Sequence, residues 1–408
     1  MEKILLVVFD GLGDRPLKEF GKKTPLEAAK TPNLNGLAAM GTCGQFNSIG
    51  VGVRPGSDTA HLSLFGYDLT ADYRGRGPIE ALGVGFDLRD GDVAFRANFG
   101  TVDENGKIVD RRAGRIKDVS SLAKSISGKK IGGVTVFVVP SVSHRAVLVL
   151  RGAGLSAAVC DGDPHKDGRY PIKITPTSQK PSAKKTSKAL NDFLSFASKT
   201  LKNHALNKKR ADAGRPQANY LLVRGAGVYK KLLGFEKKYG LKAACVAGGG
   251  LYKGVSRLVG MRVLNVKGAT GTPDTNVEAK VSAALTALDK HDFVFLHLKG
   301  ADAAAEDGNG EAKKEFIEKA DAALWPLLKL KNTIVCVTAD HSTPCALKMH
   351  SGDPSPILFY GQGIRTDGSP VKKFGERQCA KGDVGRVFGK DLISELLNLS
   401  GRARLVGD

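Results

Sequence analysis

Ile4-Leu-Leu-Val-Val-Phe9-Asp10-Gly-Leu-Gly13-Asp14 is the stretch whose reading decides the fold. Six apolar residues run without a polar break and stop at a carboxylate flanked by glycine. A run this short reads as a strand buried on both faces. The pattern recurs at Val134–Val139, Ala146–Leu150, Tyr220–Val223, Ala243–Ala247, Arg262–Val266, Phe293–Leu298, Thr333–Thr338 and Ile357–Tyr360. Asn276–Lys290, Ala312–Leu330 and Asp391–Leu399 instead carry apolar residues at helical spacing. Strands alternating with helices predict an α/β chain with a doubly wound, mostly parallel sheet.

In such sheets chemistry gathers at the carboxyl ends of the strands. Asp10 follows the first strand, Asp340 follows Thr333–Thr338, and Asp302 follows Phe293–Leu298 after a short loop. Three carboxylates far apart in sequence are thus expected on one rim. A second informative stretch is Arg54-Pro-Gly-Ser57-Asp58-Thr-Ala-His61. Ser57 reads as the N-cap of a helix over Ala60–Phe65, as a hydroxyl nucleophile, or as both. At a helix start, backbone N–H groups would stand ready for a phosphate.

Asp340-His341 is an adjacent ligand pair or a polar cap, and His350 lies in a loop shaped by Gly and Pro. Asp302 and Glu306, four apart, share a helical face and either grip one cation or form a solvated helix start. One serine with scattered carboxylates and imidazoles is the donor set of a two-metal phosphoryl-transfer centre. Arg224, Lys253, Arg96, Arg145 and His165 are candidate anion clamps, with a solvated surface as the alternative for each.

The 408 residues allow two domains. Residues 76–214 carry β-type runs, a Lys/Ser/Pro-rich stretch and one amphipathic helix through Leu190, Phe193, Leu194, Ala197 and Leu201. They are expected to form an inserted, smaller α+β domain that closes over substrate, with 1–75 and 215–408 as the catalytic domain and Arg169–Lys185 as an exposed loop. The net charge is +21, of which Lys166–Arg215 supplies +10 through 13 basic against 3 acidic residues. That segment lacks the aromatic–basic interleaving of a nucleic-acid platform. An anionic small substrate is the expected partner. Six scattered cysteines without a C-x-x-C pair point to reduced thiols and a cytoplasmic setting. No signal peptide or membrane-spanning run is expected. Monomer and homo-oligomer both stay open.

The chain resembles the archaeal-type cofactor-independent phosphoglycerate mutases, in the alkaline phosphatase superfamily. The resemblance runs in order through Val8-Phe-Asp10-Gly-Leu-Gly-Asp14, Arg54-Pro-Gly-Ser57-Asp-Thr-Ala-His61, Phe95-Arg96-Ala-Asn98-Phe99, Asp110-Arg-Arg-Ala-Gly-Arg115 and His144-Arg145-Ala-Val. It continues through Asp161-Gly-Asp163-Pro-His165, Leu222-Val-Arg224-Gly-Ala-Gly227, Lys253-Gly254, Thr338-Ala-Asp340-His341-Ser-Thr and His350-Ser-Gly-Asp353. It implies an alkaline phosphatase-like core and interconversion of 3- and 2-phosphoglycerate through a phosphoserine at Ser57. It implies one metal site from Asp10, Ser57, Asp340 and His341, and a second from Asp302, residue 306 and His350. It implies that Arg224, Lys253, Arg96, Arg145 and His165 hold the phosphoglycerate.

Where that family typically has histidine, this chain has Glu306. Oxygen in place of imidazole favours Mn²⁺ or Mg²⁺ over Zn²⁺ or Co²⁺. It also leaves two alternatives: another phosphatase or phosphotransferase on the same scaffold, or a metal-deficient, non-catalytic homologue.

Overall fold

A computed structural model describes residues 2–364, 371–405 and 407. Among these the strands are β1 (Lys3–Phe9), β2 (Thr42–Asn47), β3 (Val93–Val102), β4 (Ile108–Asp110), β5 (Lys129–Ile131), β6 (Val134–Pro140) and β7 (Arg145–Arg151). They continue with β8 (Tyr220–Val228), β9 (Ala243–Val246), β10 (Arg262–Val263), β11 (Phe293–Leu298), β12 (Thr333–Thr338), β13 (Ser355–Tyr360) and β14 (Gly385–Phe388). The helices that matter below are α1 (Ser57–Leu64), α2 (Pro181–Lys202), α3 (Gly250–Leu258), α4 (Val277–Leu288), α5 (Gly300–Glu306), α6 (Gly310–Ala323) and α7 (Gly389–Leu399).

The chain divides into two compact units, residues 1–73 with 233–408, and residues 74–232. The first holds an eight-stranded sheet in the order β10-β9-β11-β1-β12-β13-β2-β14. The pairs from β10 to β12 are parallel, β13 is antiparallel to both neighbours, and β14 runs parallel to β2. The centre of the sheet is therefore the predicted parallel, doubly wound core. β1 is covered on both faces, which is why its sequence does not alternate. Leu5, Val7 and Phe9 pack with Val281 of α4 and Phe316, Ile317 and Ala320 of α6. Ile4, Leu6 and Val8 are also fully buried. α1 packs against α7 and α3, and α7 also reaches β12.

The second unit is an antiparallel sheet in the order β4-β3-β7-β6-β5, with β8 on β3. Its core is roofed by α2, through Leu190, Phe193, Leu194, Ala197 and Leu201, and by the helix Ser120–Ile126. This is the expected α+β composition, but the division in the chain falls at 232 rather than 214. Tyr220–Val228 resembles the core strands in sequence, yet it is the antiparallel partner of β3 and belongs to this unit. The loop expected over Arg169–Lys185 ends earlier, because Pro181 opens α2 at a position where proline's missing N–H costs nothing.

Candidate active site

β1, β11 and β12 are adjacent and parallel, so their carboxyl ends lie side by side. Asp10, Asp302 and Asp340 are all buried there. Gly11 turns the chain at φ +65°; a Cβ at this point would lie 2.7 Å from both Asp302 Cβ and Thr343 Oγ1. Only glycine lets the first strand end so close to the Asp302 carboxylate.

His341 Nε2 is the centre of the cluster. It lies 3.1 Å from Asp340 Oδ2, 3.5 Å from Asp10 Oδ1 and 3.3 Å from Ser57 Oγ. Its Nδ1 meets Thr343 Oγ1 at 3.1 Å, and that hydroxyl donates to Asp302 Oδ1 at 2.8 Å. The Thr343 oxygen thus accepts from the ring, and Nε2 is the nitrogen turned to the carboxylates. His350 is arranged in the same way. Its Nδ1–H donates to the Pro55 carbonyl at 2.9 Å, and its Nε2 faces Asp302 Oδ1 at 3.6 Å.

Two groups of donor atoms result, Asp10 with Asp340 and His341, and Asp302 with His341 and His350; within each group the atoms lie within 4.8 Å of one another. Asp10 Oδ1 and Asp340 Oδ2 are buried without a hydrogen-bond donor among the described residues. Unpaired carboxylate oxygens in a closed site require a positive charge. Burial favours a neutral His341, but Asp340 and Asp10 outweigh it and raise its pKa to about 9; the carboxylates thus call for positive charge beside Nε2, which a bound cation would supply in place of a proton. A mixed oxygen and imidazole set with that deficit of positive charge fits a divalent cation.

Ser57 differs from its expected place by one position. Gly56 is the N-cap of α1, and Ser57 opens the first turn with its side chain directed to His341. Glu306 differs more. Its neighbour Asp302 is buried, whereas the Glu306 side chain is 54% exposed and its carboxylate reaches only to 4.0 Å from His350 Nε2. The shared helical face is real, but α5 carries the longer side chain out to solvent and His341 takes the third position of the second donor group. Burial and Asp302 raise the Glu306 pKa. Sequence reading overlooked Lys299, which lies 2.6 Å from Asp302 Oδ2 and 3.3 Å from Asp10 Oδ2. It also overlooked Thr343, Tyr252 and His297. The available signal was position: Lys299 immediately follows a buried strand, and His297 interrupts an apolar one.

The remaining basic candidates separate. Arg145, His165 and Arg224 line a pocket of about 400 Å³ in the second unit, together with Asn98, Arg111, Arg112, Arg115, Ser143 and His144. Asp163 organises it by accepting both Arg111 Nε and Nη2, at 2.8 and 2.7 Å. Arg224 Nη1 meets His165 Nδ1 at 3.1 Å. Arg115, Ser143 and His165 hold positive φ, a strain that side chains other than glycine rarely carry. Arg96 and Arg224 are direct cross-strand partners. Like charges so placed destabilise a sheet unless an anion joins them. Arg96 does not line the pocket; it sits 3.3 Å from Glu80, and burial with Arg76 depresses its pKa to about 10. Lys253 lies half-buried on α3, where its charge bears on Lys280 and Cys245.

Comparison with known proteins decides the family. The chain is 46% identical to 2,3-bisphosphoglycerate-independent phosphoglycerate mutase 1 of Methanocaldococcus jannaschii, with 99% of each chain covered. The chain belongs to the 2,3-bisphosphoglycerate-independent phosphoglycerate mutases. The model of that family matches residues 38–207. The corresponding mutase of Thermococcus kodakarensis is also 46% identical over 99% of each chain. Among solved structures, a Pyrococcus horikoshii protein superimposes with a TM-score of 0.87 at 40% identity, covering 100% of this chain and 99% of that one. The cofactor-independent phosphoglycerate mutase of Thermoplasma acidophilum gives 0.75 at 40% identity, covering 98% and 100%. No helix among the described residues is long and apolar enough to cross a membrane.

Proposed function

We propose that the protein interconverts 3-phosphoglycerate and 2-phosphoglycerate without a bisphosphoglycerate, through a phosphoserine at Ser57. One observation carries the reading: Ser57 Oγ stands 3.3 Å from His341 Nε2, beside buried carboxylate oxygens that have no donor. Asp10, Ser57, Asp340 and His341 would hold one divalent cation, and Asp302 and His350, with His341 or Glu306 beside them, a second. Exposed Glu306 makes the second site the weaker, and the oxygen-rich set favours Mn²⁺ or Mg²⁺ over Zn²⁺ or Co²⁺. When bound, such ions ease loss of the serine proton and offset charge on the phosphoryl oxygens.

Ser57 Oγ attacks phosphorus, the Oγ–P bond forms, and the bond from phosphorus to the glycerate oxygen breaks. The freed alkoxide takes up the proton that Ser57 gives up, so the step is proton-neutral overall. Ahead of Ala60 N, the first donor within α1, the backbone N–H groups that open the helix would be available to a phosphoryl group on the serine. Arg145, His165 and Arg224, which line the basic pocket of the second unit, suit a carboxylate or phosphate group of the substrate. The other hydroxyl of the glycerate then attacks the phosphoserine, which restores Ser57. Glycerate has to stay bound and water has to be excluded until then, since attack by water would release phosphate. Free cysteines, five of the six buried, fit a cytoplasmic setting.

The test is formation of 2-phosphoglycerate from 3-phosphoglycerate with Mn²⁺ and no bisphosphoglycerate. Turnover abolished by a chelator supports the reading. Net phosphate release would make the protein a phosphatase, and inertness with every divalent ion would make it a non-catalytic homologue.

A further inference from the structure

Asp10 uses its two carboxylate oxygens for different purposes. Oδ2 accepts a hydrogen bond from the Tyr252 hydroxyl, and His297 Nε2 and Lys299 Nζ lie 3.2 and 3.3 Å from it. Oδ1 has no donor and points to His341. Tyr252 reaches Asp10 from the third residue of α3, and His297 reaches it from inside β11. Their rings stack with centroids 3.5 Å apart, and His61 closes on both at 5.0 and 5.2 Å. Tyr252 is 2% exposed, and His61 and His297 are fully buried. Gly249, just before α3, is where the chain makes room; a Cβ there would come within 2.9 Å of the Tyr252 ring.

A buried tyrosine hydroxyl needs an acceptor, and a carboxylate is the strongest available. The stacked pair fixes the ring, the ring fixes Oδ2, and rotation of the Asp10 carboxylate is blocked. We infer that Tyr252 and His297 are positioning residues that hold Asp10 with Oδ1 presented to a cation at the site it shares with Asp340 and His341. This rests on the metal reading proposed above. The group formed by Asp302, His341 and His350 does not include Asp10. Loss of the Tyr252 hydroxyl should therefore weaken one site and spare the other. A side chain that merely supported the fold would not discriminate between them.

The experiment titrates Mn²⁺ into metal-stripped, full-length protein by calorimetry, for wild type, Tyr252→Phe and Tyr239→Phe. Tyr239 is a control, because among the described residues its hydroxyl donates to the carbonyls of Phe65 and Gly66 and to no carboxylate of the cluster. Tyr252→Phe is expected to weaken one class of Mn²⁺ site by about 10- to 100-fold, the usual effect of losing a group that orients a ligand. The other class should keep its affinity, and Tyr239→Phe should match wild type. If Tyr252→Phe does not melt cooperatively, His297→Gln is read in the same way. Wild-type affinity at both classes in a folded variant overturns this inference alone, as does equal weakening of both. A wild type that takes up no Mn²⁺ overturns the metal reading and this inference with it.

Discussion

Lys313 offers the sharpest test of how the site is held. It sits on α6, fully buried, and its ammonium donates to Asp14 Oδ2 at 2.8 Å, Thr343 O at 3.0 Å and Gly13 O at 3.1 Å. All three protons are used, and the acceptors belong to the segments that follow β1 and β12. One lysine therefore ties the loop of Asp10 to the loop of His341. Lys313→Met keeps the length and removes the charge. Asp14 would remain buried with only the backbone donors of Arg15 and Cys345. Breaking one side of a buried pair costs about 3–5 kcal/mol. For a unit of about 250 residues, an unfolding entropy of about 2.1 cal/mol/K per residue turns 4 kcal/mol into a fall of about 8 °C. Asp14→Asn should cost a similar amount by stranding the ammonium. The double variant should lose less than the two singles together, by about 1–3 kcal/mol. Thermal and denaturant melts of the four proteins provide the cycle. A Lys313→Met cost below about 1 kcal/mol, or strict additivity, would refute the reasoning.

Two further outcomes follow from other groups. Glu376 accepts from Asp14 N and from the Thr24 hydroxyl, and burial lifts its pKa to about 7. A carboxyl with a raised folded-state pKa stabilises the fold in acid and loses that contribution as pH climbs from 4.5 through 7. Glu376→Gln should match wild type in melts at pH 4, but exceed it by roughly 1–2 kcal/mol at pH 8, allowing for the carboxyl's partial exposure; a difference independent of pH contradicts this. At the anion pocket, Arg224→Ala should lower kcat/KM for phosphoglycerate by about 10- to 150-fold, the scale of a lost charged hydrogen bond. Unchanged kinetics would remove Arg224 from the substrate site.

Much of this architecture was legible because its central strands are buried on both faces. β1 and β12 are largely apolar runs, β11 is broken only by His297, and the residues just beyond their ends are the acidic cluster. β2 and β14 were not legible. Thr42-Cys-Gly-Gln-Phe-Asn47 mixes polar and apolar residues, and β14 is a four-residue edge strand. Lysines at 280, 299 and 313 escaped notice for a different reason. A lysine on a helix or beside a carboxylate reads as solvated, yet Lys280 and Lys313 are fully buried and anchored on carbonyls. Glu306 misled because spacing specifies a helical face but not how far a side chain extends along it. β8 misled because pairing with β3 depends on partners more than 100 residues away in sequence.

The central claim is that Ser57 carries the phosphate between the two glycerate hydroxyls. Acid quenching during turnover of 3-phosphoglycerate with Mn²⁺, followed by peptide mass spectrometry, tests it directly. The expected result is a phosphorylated Ser57 peptide in the wild type, with no turnover by Ser57→Ala. An unmodified Ser57 peptide together with wild-type turnover by Ser57→Ala would contradict it.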